Sequence, residues 1–146
     1  MRNLTVKFIG LLSLILAGCT HNNGYIGDWF GTWQVTEITV NGEKQDSYKR
    51  NMFFKFQTDI CNIITVYPHN TYDEHFARFK NEGNNTILID FGYTDEWNPI
   101  EFDAPEESMF SNGPNILNVK RESSREKLLT LRKEEGLTIT YKLKKQ

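Results

Sequence analysis

The sequence predicts an all-β domain, an eight-stranded antiparallel barrel of up-and-down topology. Three observations carry that prediction. From residue 29 to the end of the 146-residue chain, apolar and polar side chains alternate with a period of two, the signature of strands with one buried face. Turn sequences such as Asn41-Gly42, Asn81-Glu82-Gly83-Asn84-Asn85 and Glu134-Glu135-Gly136 separate short runs of this kind, as hairpins require. After residue 18, no stretch of ten residues carries a helical period.

The first strand is expected over residues 32–40. Trp33 and Val35 share one phase, Ile38 and Val40 the other, and a one-residue slip of that kind predicts a β-bulge. Asn41-Gly42, the strongest short hairpin signal, follows. Met52, Phe54 and Phe56 alternate with Phe53, Lys55 and Gln57 in a second strand. Residues 60–67 form a third, closed by Pro68 and Asn70. Residues 74–80 form a fourth, with His75, Ala77 and Phe79 on one face. Residues 86–91 put Ile87, Ile89 and Phe91 inward. Residues 116–120, 128–132 and 137–143 complete the eight, the last with Leu137, Ile139, Tyr141 and Leu143 on one side. A sheet with one apolar face and this many strands can close on itself and abolish its edges. A β-sandwich uses the same alternation but needs crossovers and longer connections.

The amino terminus has a different character. Arg2 and Lys7 precede an apolar run over residues 8–16, and Leu16-Ala17-Gly18-Cys19 follows. A charged start, a short apolar core and small residues describe a secretory signal peptide. The apolar core is far below the roughly 20 residues that span a bilayer. The stretch ending in Cys19 resembles the lipobox of bacterial lipoproteins, which implies cleavage before Cys19 and its acylation. The chain then divides into a signal peptide (1–18), a lipidated Cys19 with a flexible tether (19–28) and a barrel domain (29–146). Residues 20–27 are polar and glycine-containing, with little to bury.

Cleavage at that point leaves 128 residues, enough for one domain. The leader carries two of the 17 basic residues and none of the 19 acidic ones, so the mature net charge is −4. That balance lacks the basic footprint of a nucleic-acid binder. With Cys19 consumed by lipid, Cys61 is the remaining thiol. Its neighbours Ile60, Ile63 and Ile64 predict a buried packing residue rather than a nucleophile.

Gly31-Thr32-Trp33 opens the first long strand, and a Gly-x-Trp in that place resembles the signature of lipocalins and the wider calycin group. Residues 34–44, Gln-Val-Thr-Glu-Ile-Thr-Val-Asn-Gly-Glu-Lys, and the closing Tyr141-Lys142-Leu143-Lys144-Lys145 are similar to the lipocalin-like lipoproteins of Bacteroidetes. The resemblance implies a barrel whose closed end is plugged by Trp33, with Gly31 as the partner of that signature.

Two groups of residues stand out as candidate sites. Phe54, Phe56, Phe79, Ile89, Phe91, Leu131, Ile139 and Tyr141 face inward by phase. They either fill the barrel as core or line a cavity for a largely apolar ligand. Residues 92–115 form a connection too long for a simple turn. Its acidic residues alternate with Trp97, Ile100, Phe102, Met109 and Phe110, which suggests a lid over the barrel mouth or a partner-binding edge. His69 and His75 lie near Asp73 and Glu74, but the spacing matches no established zinc site, so neither a metal nor another cofactor is expected. No constellation of titratable residues points to catalysis. The expected function is that of a non-enzymatic, lipid-anchored envelope barrel, at the outer membrane facing the periplasm, binding a small apolar molecule. The alternative is a protein-interaction module, an envelope accessory subunit or protease inhibitor, with a filled interior.

Overall fold

The computed structural model describes residues 24–92 and 103–146. The leader, Cys19, and the loop positions Trp97, Ile100 and Phe102 lie outside the described residues. Among the described residues nine strands follow in order: β1 (Gly31–Val40), β2 (Glu43–Lys44), β3 (Met52–Gln57), β4 (Ile60–Tyr67), β5 (Thr71–Gly83), β6 (Thr86–Asp90), β7 (Pro114–Arg121), β8 (Glu126–Arg132) and β9 (Thr138–Lys145). Apart from β2, each strand pairs antiparallel with the next, and β9 returns to pair with β1. Eight strands therefore close a barrel, and β2 is a two-residue extension on β1.

The slip in the alternation of β1 is a real irregularity, for its register against β9 shifts between Val35 and Glu37. It lets Trp33 and Val35 below the bulge and Ile38 above it all point inward. Asn41 and Gly42 both take positive φ, 52° and 86°, as a two-residue hairpin turn demands. The hairpin does not lead directly into the next long strand. It pairs Thr39 and Val40 only with Lys44 and Glu43. The chain then detours before β3 pairs the lower half of β1, from Gly31 against Phe56 to Gln34 against Phe53.

The domain also begins earlier than the sequence suggested. Gly24–Trp29 forms a 3-10 turn, and Ile26 is only 2% exposed. The end of the expected tether is thus folded against the barrel, because Ile26 and Trp29 bury apolar surface in the core.

Candidate functional site

At one end of the barrel the base is closed by a stack built on Trp33. The Trp33 indole donates to the Trp29 carbonyl at 2.9 Å, and Trp29 meets Phe56 and Phe79 with ring centroids 5.0 and 5.8 Å away. Lys127, 2% exposed, reaches under this stack. Its ammonium lies 4.8 Å from the Trp29 ring and 5.0 Å from the Trp33 ring, and it donates to the Asp28 carboxylate at 2.7 Å. A buried cation is tolerable when a carboxylate and aromatic faces replace its water. Partial burial raises the Asp28 carboxyl, but the Lys127 hydrogen bond and the charges of Lys127, Arg121 and Lys145 outweigh it. The net result is a lowered pKa.

Above that base the interior is occupied by side chains. Phe54, Phe56, Phe79, Ile89, Leu131, Ile139 and Tyr141, the candidate cavity wall, are all buried in one cluster. Phe56 and Phe79 meet edge-on at 4.8 Å, and Phe54 lies 6.0 Å from Tyr141. Cys61 is also buried there, and burial pushes its thiol pKa up, consistent with a packing role.

The described part of the long connection enters the opposite end as a plug. A 3-10 turn, Glu106–Ser108, follows Pro105, and Ser108 is fully buried. Its hydroxyl donates to the Pro105 carbonyl at 2.6 Å and accepts from the Phe110 amide at 3.2 Å, while its own carbonyl accepts from the Tyr141 hydroxyl. Phe110 is 8% exposed and packs against Phe54 and Phe91 as well as Tyr141. Phe110, expected to gate the mouth, is here part of the core. Asn115 holds the returning chain: its Oδ1 accepts from Ser111 N at 2.9 Å, and its Nδ2 donates to the carbonyls of Ser111 and Gly113 at 2.8 and 2.9 Å. His75, on β5, places Nδ1 2.9 Å from the Asp103 carbonyl, so this histidine engages the plug and not His69.

Between the plug and the detour after β2 lies a groove of about 480 Å³. Ile38, Val66, Pro68 and Met109 supply its apolar surface, and Tyr48, Tyr67, Lys49 and Glu107 its polar groups. Tyr48 fixes one wall. Its hydroxyl donates to the Val35 carbonyl at 2.9 Å, next to the bulge, and accepts from Met52 N at 3.2 Å. Burial pushes the Tyr48 phenol up to about 12, so it is neutral throughout the ordinary pH range. Asn51 ties the same segment to β4, its Nδ2 donating to the Val66 carbonyl at 2.9 Å. On the other wall the Tyr67 hydroxyl lies 3.3 Å from both oxygens of Glu107. Desolvation and the Glu107 charge raise the Tyr67 pKa, which keeps it a donor to that carboxylate.

Sequence reasoning found the packed rings and missed this groove. Val66 and Tyr67 sit at a strand end, and Tyr48 lies in a stretch without alternation, so no periodic signal links them. Lys127 and Asn115 were missed as well, although phase could have found them. Each is in phase with inward-facing residues, Leu129 and Leu131 for Lys127, Leu117 for Asn115.

Comparison with known proteins agrees with the architecture. A crystal structure of a lipocalin-like protein from Bacteroides uniformis superposes with a TM-score of 0.57 at 18% identity, covering 82% of this chain and all of that one. An uncharacterized protein from Bacteroides eggerthii gives 0.56 at 16% identity, covering 81% of this chain and 99% of the other. A 23 kDa U4/U6.U5 small nuclear ribonucleoprotein component of Saccharomyces cerevisiae is 24% identical over 111 residues. That match takes in 73% of this chain, which spans 57% of the length of the yeast protein. A family model described as a lipocalin-like domain matches residues 14–142. With a closed eight-stranded barrel, its Gly31-x-Trp33 base and a family match over most of its length, the chain belongs to the lipocalin-like domain family.

Proposed function

We propose that this chain is a non-enzymatic, lipid-anchored barrel of a bacterial cell envelope, at the outer membrane and facing the periplasm, that binds a small, largely apolar molecule at its mouth. The observation that carries the binding site is the groove of about 480 Å³, within the size range of small-molecule sites. The interior residues first considered as a ligand wall are packed against one another, so the ligand's place moves outward to Ile38, Val66 and Met109. Tyr67 and Glu107 would orient a polar end. The anchor rests on the lipobox-like Leu16-Ala17-Gly18-Cys19.

The mature chain is titrated with a fluorescent fatty-acid probe. Saturable binding is expected, weakened at least about tenfold by Val66→Lys with Met109→Gln, because a charge in an apolar site costs more than 1.4 kcal/mol. Binding indifferent to both substitutions would place the ligand elsewhere. Acyl labelling of Cys19, lost in Cys19→Ala together with membrane fractionation, tests the anchor.

A second reading is favoured by the filled interior. Val66 and Tyr72 are cross-strand partners, and both are exposed on the outer wall beside the groove. A protein-interaction module would use that apolar surface. It predicts no probe binding by the parent and loss of an envelope partner in Tyr72→Ser.

A further inference from the structure

We propose that the closed end of the barrel is a docking surface for an anionic bilayer, so that the mouth is presented to the aqueous compartment and not to the membrane that holds the protein. The inference deepens the anchored reading and rests on it.

Chain length is the first argument. Five peptide steps separate Cys19 from Gly24, a reach of at most about 17–18 Å. Gly24–Trp29 is fixed to the closed end by Trp29 in the core and by Asp28 on Lys127 and Arg121. The ten residues of β1 run from that end to the mouth, about 25 Å along the axis for a strand tilted as barrel strands are. An anchor at Cys19 therefore keeps the base near the lipid and the groove beyond its reach.

The surface chemistry is the second argument. Phe30, 43% exposed, immediately precedes β1 at the base, and Ile60 is exposed at the β3–β4 turn. Arg125, Lys144 and Lys120 lie at the same end of the barrel, the last paired with Glu122 at 3.2 Å. The Arg125 guanidinium donates to the Lys145 carbonyl at 3.2 Å. The mouth is the more acidic end, with Asp103, Glu106, Glu107, Glu134 and Glu135 exposed alongside Lys44, Lys49, Arg50 and Arg132. An anionic surface attracts the base, repels the mouth and gives the Phe30 ring an interface to enter.

The test couples the mature chain through Cys19 to a maleimide headgroup lipid, which reproduces the tether whether or not the cell acylates it. Cys61 is fully buried, so Cys19 is the reactive thiol. Vesicles of phosphatidylethanolamine and phosphatidylglycerol carry the protein, and a membrane-impermeant amine-acylating reagent footprints its lysines, read peptide by peptide by mass spectrometry. Lys120 and Lys144 should be protected several-fold relative to the untethered chain, while Lys44 and Lys49 at the mouth label as before. Arg125→Glu with Lys144→Glu should abolish protection of Lys120 on these vesicles, and phosphatidylcholine vesicles should reduce it for the parent. Uniform labelling, or protection of Lys44 and Lys49, would overturn the orientation. Absence of acyl groups on Cys19 in cells would instead overturn the anchor, with the footprint read independently.

Discussion

The ring of Phe110 lies 5.2 Å from that of Tyr141, with 25° between their planes, so a loop residue completes the core of the barrel. Beside this stack the Tyr141 hydroxyl is bonded to the Ser108 carbonyl. Burial raises the Tyr141 pKa, so the phenol keeps the proton that this bond uses. Residues 103–113, the described end of the connection between β6 and β7, form a structural cap, and its loss should be felt as lost stability.

Phe110→Ala should cost about 3 kcal/mol, the lower end of the range for truncating a buried aromatic, since one edge of the mouth can relax. Urea denaturation checks it. A midpoint equal to the parent's would mean that the stack contributes no packing energy.

Asn115→Ala should loosen the plug while leaving the barrel folded. Ser111 N and the Ser111 carbonyl lose their partner, while the Gly113 carbonyl keeps the Phe91 amide, and an unsatisfied buried group costs about 1–3 kcal/mol. Hydrogen exchange should accelerate across residues 103–113, with β1 and β9 amides unchanged. Uniform acceleration over all strands would contradict a local role.

Trp33→Ala should unfold or severely destabilise the domain, by about 3–5 kcal/mol. It removes the indole bond to Trp29 and one of the two rings that face Lys127. Thermal unfolding followed by near-ultraviolet circular dichroism reads the change. A melting temperature near the parent's would show that the base does not depend on this residue.

Asp28→Asn should cost about 2 kcal/mol, less than the 3–5 of a fully buried pair, because the Asp28 side chain is 38% exposed while that of Lys127 is 3%. Adding Lys127→Met should recover most of the loss. The pH dependence has a definite sign. A carboxyl held below 3.8 contributes stability above its unfolded pKa, and that contribution disappears as pH falls through the folded value. Acid titration of stability should therefore show a component below about pH 4 that Asp28→Asn lacks. An unchanged acid profile would exclude the pair as its source.

Period-two alternation was sufficient for all eight barrel strands because each has one face in the core and one in solvent. A residue such as Ile87 or Ile139 announces its side by phase alone. The bulge in β1 was legible for the same reason, as a break in phase between Val35 and Ile38. Cys61 and Trp33 could be placed by their neighbours in the chain. The detour between β2 and β3 and the turn at Gly24–Trp29 were not legible, since their contacts are made with distant strands.

What the sequence by itself determined is therefore the barrel: strand number, inward faces, the hairpin at Asn41-Gly42 and the Gly31-x-Trp33 base, all set by local alternation and turn chemistry. What only the tertiary structure decided is how the two ends are finished. Phe110 fills the mouth, Lys127 and Asp28 lock the base, and Tyr48, Tyr67 and Glu107 frame the groove. Asp28 and Lys127 are separated by 99 residues and Tyr67 and Glu107 by 40. No local pattern encodes pairs so far apart, because closure of the sheet is what brings them within bonding distance.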